Sequence, residues 1–301
     1  MSARFELTDA EWVLLQPLLP QDPPRGGRWR DHRTVISGIL FRERTGIQWR
    51  DLPSRFGNWQ TVYQRKRRWA LDGTWQRIAE RLRLGADDGD PDWTVGIDST
   101  VVRAHQHAAG ARHRPPAGPV KTLTATGPAT EPEALGRSRG GFSTKLHLAA
   151  DLRSRPISRS LTAGQRHDRI GYDQVMAGIR MPRRRGRPRT RPDRLLGDKA
   201  YSVAAIRTGL RRRGIAATIP ERRDQQKNRL KRGSRGGRPP AFDPDRYRQR
   251  NTVERAVSKL KQFRAVATRY DKRAFMYLAT VDIATIKIWL RDLTKDPLHT
   301  T

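Results

Sequence analysis

The sequence predicts an α/β protein: a mixed sheet flanked by helices, preceded by an all-α N-terminal region. Three observations predict it. Up to about residue 88, apolar residues recur at helical spacing between cap signals. Beyond that point Trp93, Val95 and Ile97 alternate with polar or small residues, and FSTKLHLAAD followed by PISRSLTAG reads as a hairpin. Short apolar strands then alternate with helical stretches, as they do in a sheet covered by helices. The 301 residues suffice for two cores, placed at 1–88 and 89–295 with GADDGDPD as the linker.

In the first region Thr8-Asp9-Ala10-Glu11 forms a capping box, in which the hydroxyl and the carboxylate satisfy the first free amides. Val35, Ile36, Ile39 and Leu40 mark a second helix closed by Gly46. NWQTVYQRKRRWALDG marks a third, capped by Asn58 and ended by Gly73; Trp75, Ile78, Ala79 and Leu82 mark a fourth. The face left over on the third helix carries Gln60, Gln64, Arg65, Lys66 and Arg68. That set suits a recognition helix of a helix-turn-helix-like domain, because Arg and Gln pair with base edges and Lys with phosphates. A merely solvated basic face would use the same residues.

The second region continues with a helix from about Asp168 to Ile179 and a short buried run, Leu195-Leu196, ending in Gly197-Asp198. A helix from Ala204 to Arg213, the strand IAATIP, a charged helix over YRQRNTVERAVSKLK and an apolar helix near 274–292 follow. The Pro- and Thr-rich stretch near 113–138 reads as a flexible surface loop. PRRRGRPRTRP and KRGSRGGRPP are basic and broken by Gly and Pro, able to lie along phosphates or insert Arg into a minor groove.

Lys and Arg number 62 against 30 acidic residues, a formal charge of +32. Such a surplus, spread through the chain, implies a polyanion, with nucleic acid as the partner. No basic amphipathic helix stands out for a membrane surface. There are no cysteines, which excludes disulfides and thiol catalysis. The start lacks a signal-peptide core, and the longest apolar stretch, Phe275 to Leu290, is short for a bilayer and contains Asp282 and Lys287. A soluble, cytoplasmic protein with no membrane partner is expected.

Asp98 and Asp198 directly follow strand patterns, and Glu254 sits on the charged helix. On one continuous helix Tyr247, Arg250, Glu254 and Lys261 fall on one stripe within about 60°. Val253, Val257 and Leu260 form the neighbouring apolar face. If the two strands are neighbours, the three carboxylates converge, and three close anions require cations between them. Hard oxygen ligands select Mg²⁺ or Mn²⁺, and two such ions suit phosphoryl chemistry. Arg250 and Lys261 would then hold DNA phosphates, although a solvated ion-pair face would also use this stripe. Asp151 reads instead as a hairpin turn and Asp168 as a helix cap. His105 and His107 lack a third ligand, while Lys199 and Tyr201 follow Asp198 and could reach substrate or pack.

The spacing Y-x2-R-x3-E-x6-K, met by Tyr247, Arg250, Glu254 and Lys261, resembles the signature of DDE transposases of the insertion-sequence four and five families, the fifth in particular. The resemblance extends to GxQWRDLP from Gly46, the Trp59–Trp69 segment, GIDST around Asp98 and GGFSTKLH from Gly140. It continues through GQRHD ending at Asp168, GDKAY around Asp198 and FRAVATRYDK from Phe263. One departure is Ala200-Tyr201-Ser202, where many relatives have Gly-Tyr-Asp. The resemblance implies a ribonuclease-H-like domain whose Asp98, Asp198 and Glu254 bind divalent metal and whose Tyr247, Arg250 and Lys261 contact transposon-end phosphates. It also implies cleavage at insertion-sequence ends, strand transfer into double-stranded target DNA, and a homodimer or larger assembly on DNA. A non-catalytic DNA-binding descendant and a general metal-dependent nuclease are the rival functions.

Overall fold

The computed structural model describes residues 5–22, 27–84, 92–111 and 133–294. Four helices come first: α1 (Asp9–Leu15), α2 (His32–Thr45), α3 (Trp59–Leu71) and α4 (Thr74–Arg81). The capping box of α1 is complete, with the Glu11 amide donating to Thr8 Oγ1 at 3.2 Å and the Thr8 amide to Glu11 Oε2 at 2.9 Å. Asp31 caps α2, and Gly46 ends it at φ 71°, a left-handed turn that a side chain would strain. Asn58 caps α3 through the Gln60 amide at 2.8 Å.

The second region runs β1 (Thr94–Ala104), the single turn α5 (Gln106–Ala109), β2 (Gly136–Ser138), β3 (Gly141–Asp151), β4 (Pro156–Ala163) and α6 (Arg169–Gly178). It continues through β5 (Arg194–Leu196), α7 (Ala204–Arg212), β6 (Ala216–Thr218), α8 (Arg223–Lys231), α9 (Pro244–Arg248), α10 (Asn251–Lys261), α11 (Arg264–Ala267), β7 (Thr268–Arg269) and α12 (Ala274–Leu293). The sheet's spine is β4-β3-β1-β5-β6. β1, β3 and β4 are antiparallel neighbours, whereas β5 pairs parallel with β1 and β6 parallel with β5. That order and polarity are those of a ribonuclease-H-like sheet. Its two faces are covered from opposite sides. Val253 of α10 closes on Gly96, where an added Cβ would sit 3.1 Å from it, and α6 closes on the His147 ring through Gly171.

α12 is buried at every position from Ala279 to Leu290. A helix without a wet face must pair its charges inside. Lys287 does so with the Glu11 carboxylate and the Glu6 carbonyl, and Asp282 with Arg159 at 2.5 Å. From α3, Lys66 has no exposed surface; its ammonium meets Thr280 Oγ1 at 2.7 Å, Glu43 at 2.7 Å and Asp271 at 3.5 Å. The Glu43 contact is an ion pair without hydrogen-bond alignment. The apolar core is continuous from Leu7 to Leu290.

Two expectations change. The loop near 113–138 lies largely outside the described residues, but its last three residues form β2, because Gly136 to Ser138 extend the β3 ladder. The helix expected over Tyr247–Lys261 is interrupted at Gln249-Arg250. There Arg250, Thr252 and Val253 donate to Tyr247, Gln249 and Arg250 in tight i→i+3 bonds. The linker at GADDGDPD lies outside the described residues except for Asp92.

Lys66→Met should destabilise the protein by about 3–5 kcal/mol, since it removes the buried cation between Glu43 and Asp271, leaving Glu43 to Arg42 and Asp271 to Thr280. Denaturant unfolding reads this, and a loss below about 1 kcal/mol would contradict the buried pairing.

The buried His147 ring accepts or donates one hydrogen bond, from Nε2 to Thr162 Oγ1 at 2.8 Å, and burial holds its pKa down to about 4. Its folded pKa lies below the unfolded value near 6.5, so the neutral ring's contribution is complete above that value and is lost as pH falls towards 4. The loss is on the order of 3 kcal/mol. His147→Gln should show a shallower decline of thermal midpoint between pH 7 and 4.5; parallel profiles would refute the assignment.

Candidate active site

Three elements deliver the acidic residues to one end of the sheet. β1 and β5 pair in register from Thr94↔Arg194 to Gly96↔Leu196. Two residues further along each chain, and on the same side of the pleat, stand Asp98 and Asp198. Asp198 lies just past the end of β5 and turns its carboxylate onto the Ala200 amide at 2.9 Å, capping a short turn over Lys199–Tyr201. Glu254 arrives from the first turn of α10, which rests on the Gly96 face of β1.

Arg250 joins them. Its guanidinium pairs with Glu254 and lies 3.7 Å from Asp98 Oδ2, while its Cζ stands 5.8 Å from the Tyr247 ring centre. The tight turn at 249–250 accounts for the last contact, because side chains three apart eclipse in such a turn. The stripe therefore survives as a bent row. Lys261 does not join it: it is exposed at the other end of α10, roughly 10 Å of helix rise from Glu254.

Burial pushes the Asp98 carboxyl up to about 6, and the neighbouring anions Asp198 and Glu254 add to the rise; the Ser99 amide and Arg250 oppose it. Burial works against the charge of Arg250, but Tyr247, Glu254, Asp98 and Asp198 outweigh it and hold the guanidinium above its ordinary value. Asp98 and Glu254 thus share one cation, and the charge of Asp198 adds to its field. As a donor set the three carboxylates suit a hard divalent ion. As they stand, with Arg250 between Asp98 and Glu254, no three acidic or imidazole groups among the described residues close around a single point.

The other acids behave differently. Asp151 ends β3 and accepts from the Arg153 and Arg155 amides at 3.1 and 2.8 Å, holding the hairpin turn as expected. Asp168 occupies the cap position of α6 but makes no cap bond. Its carboxylate instead accepts from Ser99 Oγ at 2.6 Å and Lys145 Nζ at 2.8 Å. Sequence reading missed this pairing, although the period of two on β1 and β3 puts Ser99 and Lys145 on one face. The His105 and His107 rings meet edge to face with centres 4.5 Å apart, and His105 also meets Tyr270. Tyr201 is 2 % exposed and packs near Tyr172.

On α3, Gln60 and Gln64 are exposed beside Arg67 and Arg68 in an open cleft also lined by Arg28 and Arg30. Arg65 also borders that cleft, but from within its wall. It is 5 % exposed, with its guanidinium 3.8 Å from the Trp29 ring centre and 2.6 Å from His32 Nδ1. Burial lowers its pKa to about 10, with Arg68 adding to the effect. The spacing held the signal: Val62, Arg65, Lys66 and Trp69 lie at i, i+3, i+4 and i+7, one stripe that turns inward despite its two cations.

Two segments of the chain match known families. Residues 7–79 match the family described as "Putative transposase of IS4/5 family", and residues 90–284 match the one described as "Transposase DDE domain". The chain is 40% identical over 108 residues to "Uncharacterized protein y4sN" of Sinorhizobium fredii, covering 35% of this chain and 82% of that protein. It is 28% identical over 205 residues to "Putative transposase for insertion sequence element IS402" of Burkholderia cepacia, covering 64% and 88%. Among solved structures, a pre-cleavage Mos1 transpososome overlays 90% of this chain and 82% of its own at 11% identity, with a TM-score of 0.23, too loose to compare sites. Family match and sheet order together identify the chain as a member of the DDE transposase family, an enzyme of DNA transposition.

Proposed function

We propose that this transposase binds the ends of an insertion sequence, cleaves them, and joins the freed 3′-hydroxyl to target DNA, with Asp98, Asp198 and Glu254 as its catalytic carboxylates. The observation that carries the reading is that Asp98 on β1 stands level with Asp198 just past the end of the parallel neighbour β5, with Arg250 bridging Asp98 to Glu254. The three carboxylates would hold Mg²⁺ or Mn²⁺, two ions in all, which when bound supply Lewis acidity towards the phosphate and its attacking oxygen.

The chain's own residues do the rest. Asp98, half-protonated near pH 6 in its crowded setting, becomes a full carboxylate once positive charge arrives. Arg250 neutralises Asp98 and Glu254 beforehand. A DNA phosphate beside the site offers its guanidinium a competing anion, which would free the two carboxylates as substrate docks. Tyr247 stands next to Arg250 as a second phosphate contact, and Lys261 contacts the backbone further along α10.

We assign residues 1–88 to DNA binding and 89–295 to catalysis. Gln60 and Gln64 on the wet face of α3 would read base edges, with Arg67 and Arg68 on phosphates. Two ends must be brought together for joining, so a homodimer or larger assembly on DNA is proposed. No described helix is long and apolar enough to cross a membrane, and a cytoplasmic site of action is proposed.

Asp98→Asn, Asp198→Asn and Glu254→Gln should each abolish cleavage of a labelled duplex carrying the DNA that flanks the gene, while retaining its binding. Each removes a charge with little change of shape. Near-normal cleavage by any one in Mg²⁺ would remove that residue from the site.

Gln60→Ala and Gln64→Ala should each relax the preference for that duplex over random DNA by about 1–3 kcal/mol at unchanged melting temperature. Arg65→Ala should lower the melting temperature instead and leave the preference of the folded fraction intact. Competition binding alongside thermal melts distinguishes them, and the reverse pattern would show that the interior placement of Arg65 is wrong.

A further inference from the structure

Behind Asp98, on the opposite face of β1, lies a polar chain that the proposed chemistry does not use. Ser99 is its junction. Its amide donates to Asp98 Oδ1 at 2.8 Å, while its hydroxyl donates to Asp168 Oδ1 at 2.6 Å. Lys145, from the neighbouring strand β3, donates to the same Asp168 oxygen at 2.8 Å and to the Arg166 carbonyl at 2.6 Å. The Lys145 and Asp168 side chains are 13% and 26% exposed, sheltered enough for the pair to resist screening.

The strand's alternation explains the arrangement. Asp98 and Ser99 must point to opposite faces, so whatever fixes Ser99 also fixes the peptide plane from which Asp98 departs. The Asp98 carboxylate takes its orientation from the Ser99 amide. One carboxylate, Asp168, is thereby linked to the stretch of β1 that carries Asp98. At the cap position of α6 it makes no cap bond, so its hydrogen-bonding capacity goes to Ser99 and Lys145.

We propose that Asp168, braced by Lys145, is a positioning residue that sets the orientation of Asp98 through Ser99. This rests on the reading of Asp98 and Asp198 as metal-holding residues. It makes Asp168 a determinant of how well a divalent ion is held, without touching DNA or the ion itself. Loss of such an outer partner costs about 10–100-fold in metal affinity or activity.

The test uses the full chain, Mn²⁺ alone as the probe, and four variants: Asp168→Ala, Ser99→Ala, their double, and Asp98→Asn. Mn²⁺ binding is followed by electron paramagnetic resonance, and the Mn²⁺ dependence of duplex cleavage is followed in parallel. Asp168→Ala and Ser99→Ala should each raise the Mn²⁺ midpoint about 10-fold or more in both measurements. Duplex binding should stay unchanged, excess Mn²⁺ should restore cleavage, and the double variant should be no worse than the weaker single. Unchanged midpoints in folded Asp168→Ala, with cleavage abolished in Asp98→Asn, would overturn the positioning role and leave the site assignment standing. Should Asp168→Ala fail to fold, an unchanged midpoint in Ser99→Ala overturns it equally. Wild-type Mn²⁺ binding and cleavage by Asp98→Asn would instead overturn the site assignment itself.

Discussion

The burial of α12 is the constraint on which the other layers depend. A helix covered on all sides tolerates charged residues only where each layer around it supplies the opposite charge or a polar group. α1 supplies Glu11 to Lys287, β4 supplies Arg159 to Asp282, and α3 supplies Lys66 to the Thr280–Asp271 pair. These three pairings lie along one helix and come from three different elements. A slip of α12 by one turn would break all of them together, so they select one register among packings that apolar contacts alone would leave close in energy. The N-terminal helices and the sheet are thus set relative to each other by polar groups.

With that frame fixed, the active site needs little more than sheet geometry. Parallel pairing of β1 and β5 sets two acids level, and Val253 seated on Gly96 brings the first turn of α10, with Glu254, over them. Like charges at this spacing are tolerable only with positive charge between them. In the isolated chain that charge is Arg250. The same residue that stabilises the resting site is chemically suited to bind the substrate's phosphates, so rest and engagement compete for one guanidinium.

Much of this was legible from local signals. The capping box at Thr8, the left-handed glycine at Gly46 and the alternation through Ile97 are properties of a few adjacent residues, and each formed as read. The resemblance located Asp98, Asp198 and Glu254, and their strands and helix prove to be neighbours. What escaped the sequence is where long polar side chains end. Lys66 and Arg65 read as a wet face because their charges are polar, yet their position on the Val62–Trp69 stripe decides their burial. Asp168 read as a cap because it precedes a helix, while its partners, Ser99 and Lys145, are 69 and 23 residues away. The interruption at Gln249-Arg250 has no Pro or Gly to announce it.

The contact between α6 and the sheet has an evolutionary corollary. At Gly171 a Cβ would lie 2.3 Å from the His147 ring, and that ring is itself held between β3 and β4 by Thr162. No side chain can enter position 171 while an imidazole occupies position 147. Among homologues the two sites should therefore change as a pair, with a residue larger than glycine at 171 accompanied by a smaller one at 147. Glycine here records the size of a neighbour on another element, since its own backbone is ordinary helix.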